Sequence, residues 1–337
     1  MVRSVGQARP SMAVAIAHGL GLPIDATLRA IYQAPSRLVR GLQPAAAEKL
    51  ARMLAETGLE IEVVPDDLVA ETDAGRLMDV AVHVIDADAA REVPAILAAF
   101  CACDEARAID LLVTPPGLVL GSVSQATLDA LRAALVGHGV AVVGSVQQQA
   151  RFAALPATIS HKAADEIRRQ LAELDPLDLT HGQARALWDR YGRTGHVRIV
   201  DRAFLRFALW LDGADAQPDL AALDRLSAVP APYHHDVLAA APVILEHGLT
   251  HNAMVEKVSA YAAAGLVTRG EMTTFAAERV HVTRLGAAAQ VSQAAAQFGV
   301  DPPAVAPWSS PAMFETRARL LAAALQRAGC TAEVVDA

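Results

Sequence analysis

The side chains best able to do chemistry gather in two stretches of this chain. In the first, Tyr233-His234-His235-Asp236 and Glu246-His247-Gly248-Leu249-Thr250-His251 hold four histidines and two acids within nineteen residues. Imidazole nitrogens and carboxylate oxygens at such spacing are ligands for Zn²⁺ or another transition metal. His234, His235, His247 and His251 are therefore the candidate metal set, and zinc the candidate cofactor. Gly248 interrupts the turn between His247 and His251 and the HExxH order is absent, so solvent-facing or capping histidines fit the same pattern.

In the second stretch, Arg185, Arg190, Arg193, Arg198, Arg202 and Arg206 follow one another with only Asp189 and Asp201 as acids among them. Trp188, Tyr191, Phe204, Phe207 and Trp210 lie in the same neighbourhood of an otherwise aromatic-poor chain. The i, i+4, i+8 spacing of Arg198, Arg202 and Arg206 predicts a basic stripe on a helix, with Ile199, Ala203, Phe207 and Trp210 on its apolar face. A loop, Gly192-Arg193-Thr194-Gly195-His196, would enter that helix, where backbone N–H groups hold phosphate or carboxylate. Arg193, Arg198, Arg202, Arg206, Trp188 and Tyr191 are thus the candidate anion- or partner-binding set. Solvated arginines, an acidic protein partner and RNA satisfy the same charges.

Known catalytic signatures are missing: no Walker loop, no GxGxxG after a strand, no GxSxG elbow. Ser160-His161-Lys162 with Asp165 and Glu166 offers nucleophile and base types, but neighbours on one helix do not converge, and Ser160 reads as the cap of a helix over 163–174. Cys101-Ala102-Cys103 is too close for CxxC geometry and reads as buried apolar thiols.

The elements that position these residues are organised by repetition. Residues 13–64 and 94–145 superpose in sequence without a gap at an offset of 81, pairing Ala17 with Ala98, Pro35 with Pro116, Leu50 with Leu131, Leu54 with Leu135 and Gly58 with Gly139. A shorter third copy ends the chain, with Leu321, Leu325 and Gly329 answering Leu50, Leu54 and Gly58, and Ser310-Pro311 answering Ala34-Pro35. Internal repeats settle architecture before motifs do. In copy two a strand at 79–85, helices at 90–102 and 104–113, a Ser124-capped helix and a strand at 140–143 give a βααβ order, followed by a short edge strand. Copy one has Pro44 at the first helical position and a short opening strand. The fold class expected is α+β, with modules at 1–68, 76–146 and 275–337 and an all-helical domain inserted at 150–270. In that insert Thr180-His181-Gly182-Gln183 and Thr268-Arg269-Gly270-Glu271 have capping-box spacing.

Gly19-Leu20-Gly21-Leu22, Ala34-Pro35, Gly41-Leu42, Ala47-Glu48-Lys49-Leu50 and the run from Glu56 to Val63 resemble the C-terminal domain of the bacterial ribosomal stalk protein over about fifty residues per copy. That resemblance, to a compact α/β fold shared with the adaptor of the Clp protease, implies a stalk-like binding module without a catalytic group. It carries no functional residue to this chain.

Much of the 53% hydrophobic content is alanine, and no apolar run reaches the ~18 uncharged residues of a spanning helix. Residues 12–22 look like a signal-peptide core, but their offset partners at 93–103 lie deep in the chain, so they are read as a helix. Three cysteines suit a reducing compartment, with cytoplasm the default, and a net charge of −8 argues against wholesale nucleic-acid coating. The expectation is a non-catalytic adaptor or scaffold that binds protein partners through several modules and gains avidity from their number. Its rivals are an enzyme or accessory subunit holding an anion or metal in the middle domain, and an RNA- or ribosome-associated protein.

Overall fold

The computed structural model describes residues 1–6, 8, 11–65, 76–156, 169 and 174–337. Ser160, His161, Lys162 and nearly all of the helix expected behind them lie outside those residues. The chain is α+β and divides into two compact units, Met1–Gln149 with Glu278–Ala337, and Ala150–Ala277. None of the helices among the described residues is long and apolar enough to cross a membrane.

In the first unit, module 1 comprises β1 (Val2–Ser4), α1 (Ser11–Leu20), α2 (Ile24–Tyr32), α3 (Pro44–Ala55) and β2 (Glu60–Ile61). Module 2 comprises β3 (Met78–Val84), α4 (Val93–Cys101), α5 (Glu105–Val113), β4 (Leu118–Val123), α6 (Gln125–Ala134) and β5 (Val140–Val146). Its sheet has the order β4-β3-β5, with β3 antiparallel to both neighbours. Strand β4 is an element the periodicity did not reveal, because Gly121 breaks its alternation and Ser122 sits at φ 55°. The sheet buries one face on α6, which begins where the Ser124 hydroxyl accepts from the Thr127 amide and lays down Leu128, Leu131 and Leu135, none more than 2% exposed. Each such leucine contributes about 2 kcal/mol by leaving water.

The second unit contains strands throughout, so the all-helical middle domain is wrong. Among its described residues are β6 (Phe152–Pro156), α7 (His181–Tyr191), β7 (Val197–Asp201), β8 (Phe207–Ala214), α8 (Ala221–Ser227), α9 (His234–Ala239), β9 (Val243–Leu249), α10 (His251–Ala263) and β10 (Leu266–Met272). Residues 207–272, module 4, repeat module 2: the first strand lies between the second and third, in the order β10-β8-β9 and antiparallel throughout. Among the described residues of 152–201, module 3, part of the same plan is present, with β6 flanked by β7 and by a bridge from Phe152 to Leu179. The capping box at Thr180 and Gln183 is present. That expected at Thr268 is not, since β-branched Val267 and Thr268 belong to β10.

Module 5 closes the chain and belongs to the first unit, with β11 (Ala277–Arg284), α11 (Ala288–Gln297), β12 (Trp308–Ser309), β13 (Met313–Phe314), α12 (Glu315–Arg327) and β14 (Thr331–Asp336) around a central β11. The five copies share a ruler. Counting from the N-cap of the last helix, Gln43, Ser124, Thr180, Thr250 or Phe314, the fifteenth residue is always a glycine with positive φ: Gly58, Gly139, Gly195, Gly265 and Gly329. Only glycine takes that left-handed turn without a Cβ penalty, and it turns the helix into the final strand. The cis peptide bonds correct the third sequence copy: the proline answering Pro35 and Pro116 is Pro307, preceded like them by a cis bond, and not Pro311.

Candidate binding groove

Module 1 differs from module 2 in the length of its central strand. Val2 occupies the place of Val82: its amide donates to Ser36 O at 2.8 Å as Val82 donates to Gly117 O at 2.9 Å, and it faces Ile61 as Val82 faces Val142. Met1 then matches Ala81, exchanging backbone hydrogen bonds with Glu62 as Ala81 pairs with Val143. Beside Met1 is a cavity of about 350 Å³, bounded by residues 38–42 on one side and 61–65 on the other, and floored by Ala47, Leu50, Ala51 and Leu54 of α3. Leu42 is 42% exposed where its counterpart Val123 is 2% exposed, and Val63 is 44% exposed. Arg40 and Glu62 stand among the lining residues, and the Glu62 carboxylate pairs with Arg3. The arrangement is an apolar trough between two chain segments, the kind of concavity that takes an apolar ligand or peptide.

A second departure from module 2 lies in module 4. Where module 2 has Cys101, Leu120, Leu131 and Leu135, module 4 has Ser227, Glu246, Lys257 and Tyr261. The Glu246 carboxylate accepts from both the Ser227 hydroxyl and the Lys257 ammonium, and Lys257 also donates to Leu226 O at the end of α8. The Tyr261 hydroxyl donates to Ser227 Oγ at 2.7 Å, and burial is the main cause of its raised pKa. Nucleophile and base types do meet here, but Lys257 is held by the carboxylate and the helix-end carbonyl. Lys257 is therefore not disposed to take the serine proton. The cluster closes upon itself as a polar substitute for an apolar layer. Sequence reasoning missed it because the four residues are scattered over 35 positions and align only once module 4 is recognised.

The arginine set does not form one surface. Arg198 lies on β7 and stacks over Phe275 at 4.5 Å, Arg202 follows that strand in a short turn, and Arg206 precedes β8. The helical stripe is therefore absent: Val197, Ile199 and Val200 favour a strand, and i, i+4 spacing has no meaning there. Arg202 and Arg151 both bind the Asp178 carboxylate, and the hydrogen bond from Arg151 leads in holding that carboxyl below its usual range. Arg206 donates to Ala203 O and Leu205 O, and burial lowers its pKa to about 10. Arg193 is exposed beside Asp189 at 3.5 Å, Trp188 is half-exposed on α7, and Tyr191 is buried at the core position matching Leu135. The loop 192–196 follows α7 and leads into a strand, so it supplies no helix N-terminus for an anion.

The histidines do not converge either. Among the described residues no group of three His, Cys, Asp or Glu side chains could hold a metal. His234 is buried with Nε2 2.9 Å from Val229 O, His235 and His247 are exposed, and His251 opens α10 with its ring edge-on to Phe207. Four histidines in one stretch were divided among a short helix, a strand and a second helix. Cys101 is half-buried, its thiol pushed up to about 12 chiefly by burial, which suits the apolar reading. Neither a protein-family model nor any curated protein or solved structure matches the chain significantly.

Proposed function

We propose that the protein is a non-catalytic adaptor or scaffold, built from repeated stalk-like modules, and that module 1 captures a protein partner in its groove. The observation that carries this reading is the open cavity over α3: Leu50, which stands where module 2 has fully packed Leu131, is only half-buried, and Leu42 and Val63 are exposed on the cavity walls. Apolar surface left in a trough with both walls in place gains free energy when covered, at about 25 cal/mol per Å². Repetition supports the same reading, since further modules on the chain add weak sites whose effects multiply.

Selection of a random peptide library on the full chain, with counter-selection on Ala47→Trp, tests it. Convergence on an apolar motif is expected, because the indole fills the trough floor. No enrichment over the counter-selected pool, or a lipid or small molecule found in the trough by native mass spectrometry, would overturn it.

A further inference from the structure

We infer that the cleft between modules 2 and 5 is a second binding site, and that its occupant is an extended peptide segment of a protein partner, with a carboxylate at one end and an apolar side chain at the other. The site shares no lining residue with the trough of module 1 and does not depend on it.

The cleft has a volume of about 310 Å³ and a floor of core side chains. Ile109 of α5, Phe298 at the end of α11, and Leu320 and Ala324 of α12 are all buried, yet each still borders the opening. The walls are held at a fixed width. Arg319 of α12 donates to Val84 O at 3.4 Å and to Ile85 O at 2.6 Å, and Arg327 pairs with Asp88 at 3.2 Å, so module 5 is pinned to module 2. A preformed concavity with an apolar floor and a few polar groups at its lip is the usual form of a ligand site.

One wall carries a row of carboxamides. Gln290, Gln293 and Gln297 fall at i, i+3 and i+7 on one face of α11, all three line the cleft, and none has a hydrogen-bond partner among the described residues. A carboxamide both donates and accepts, as a peptide backbone does, and the row spans about 10 Å, the reach of three extended residues. A helical guest satisfies its backbone internally and an acyl chain has no such groups, so neither uses the row. The two ends of the cleft differ in charge. Ala287 N donates to Ala328 O, and a Cβ on Gly299 would lie 3.8 Å from the Arg317 guanidinium, so α11 and α12 run antiparallel and Arg327 stands at the Gln290 end. Arg91 belongs to the same end, three residues after the Asp88 that Arg327 pairs with. The carboxylates beside these two guanidiniums, Glu92 and Asp88, are 60% and 70% exposed, and pairs so open to water leave most of the attraction for an arriving carboxylate. Against the two guanidiniums the lining sets one acid, Glu105. The segment that fits places its carboxylate by Arg91 and Arg327, runs its backbone along the glutamines, and rests an apolar side chain three or four residues away on Phe298 and Leu320.

The test is a random heptapeptide library displayed on phage, selected on the full chain and counter-selected on Ala324→Trp, whose indole fills the cleft floor. Arg327→Glu replaces it as the counter-protein should Ala324→Trp misfold. Peptides that enter the module 1 trough bind both proteins and are removed, so failure here leaves that reading standing. Enrichment is expected for Asp or Glu set three or four residues from Leu, Ile, Met or Phe. A synthetic peptide of the enriched sequence should bind at least tenfold more weakly to Arg327→Glu and at least fivefold more weakly to Gln293→Ala combined with Gln297→Ala. N-methylation of its backbone should cost at least tenfold at alternate residues and little at those between, the signature of an extended chain read along one edge. An empty selection would overturn the inference. Binding of the enriched peptide that survives both Arg327→Glu and the glutamine pair would place the site elsewhere and overturn it too. A lipid that native mass spectrometry finds on the parent and not on Ala324→Trp would overturn the peptide in favour of an acyl chain.

Discussion

Modules 1 and 2 set the same helix stripe beneath the same two flanking segments, yet Leu131 is fully buried and its counterpart Leu50 borders an open trough. The difference is what lies over the stripe, for in module 2 strand β3 runs between β4 and β5 and packs upon it. In this module the helix stripe is made by local sequence, but its burial depends on a strand arriving from far along the chain. Module 4 teaches the complementary lesson: it keeps the strand and changes what lies beneath it. Lys257 stands where the other four copies have leucine, and Ser227, Glu246 and Tyr261 change with it so that the charge is paired.

The largest expected effect contrasts the two leucines. Leu131→Ala should cost about 4 kcal/mol, because it removes a fully packed side chain and leaves a void, whereas Leu50→Ala should cost about 1 kcal/mol. Urea unfolding of the two variants measures both, and equal losses would mean that the trough is closed in solution.

Next in size is the polar layer of module 4. Glu246→Leu alone should cost about 3 kcal/mol, since it strands the Lys257 ammonium; both side chains keep about a quarter of their surface in water, 23% and 24%, which places the loss at the low end for a broken buried pair. Replacing all four residues by their module 2 counterparts, as Ser227→Cys, Glu246→Leu, Lys257→Leu and Tyr261→Leu, should restore stability to within about 1 kcal/mol of the parent. A quadruple variant less stable than Glu246→Leu would show that the two layers are not equivalent.

A smaller loss, about 2 kcal/mol, is expected for Gly144→Val, which overpacks against Leu128. Adding Leu128→Ala recreates the Val63 and Ala47 pairing of module 1, so the double variant should be more stable than the two separate losses predict, by about 1 kcal/mol in a double-mutant cycle.

The smallest effect concerns pH and module 5. Burial, with Glu315 and Asp336 nearby and Arg319 opposing, raises the Glu278 carboxyl to about 7. The folded state then binds the proton that the unfolded state has released, so this residue makes stability fall as pH rises from the ordinary glutamate range to about 7. Glu278→Gln should flatten that fall and leave the protein slightly more stable than the parent at pH 8, as read from urea midpoints at pH 5 and pH 8.

How much of this was legible beforehand depended on which residues kept their spacing. The 81-residue offset between modules 1 and 2 survives because neither copy gained or lost a residue there. The two modules of the middle unit are the same machine, but they escaped notice because Lys257 and Tyr261 replace the apolar letters that announce the stripe. Arg198, Arg202 and Arg206 meanwhile imitate a helical period across a strand, a turn and a second strand. Gly265 and Gly195 were the surviving signals, at the same distance behind Thr250 and Thr180 as Gly139 behind Ser124. The groove could not be read at all, since it is a gap between segments that each look ordinary. Of the candidate site residues, the histidines and arginines were picked for chemistry that needs convergence, and convergence is a property of the fold.

The measurement that bears most directly on the account is the affinity of a fluorescein-labelled apolar peptide from the library selection for the full chain and for Ala47→Trp, which fills the trough floor. The account predicts saturable binding to the parent and at least a tenfold loss in the variant. Equal binding by the two proteins would contradict the claim that the trough over α3 captures the partner.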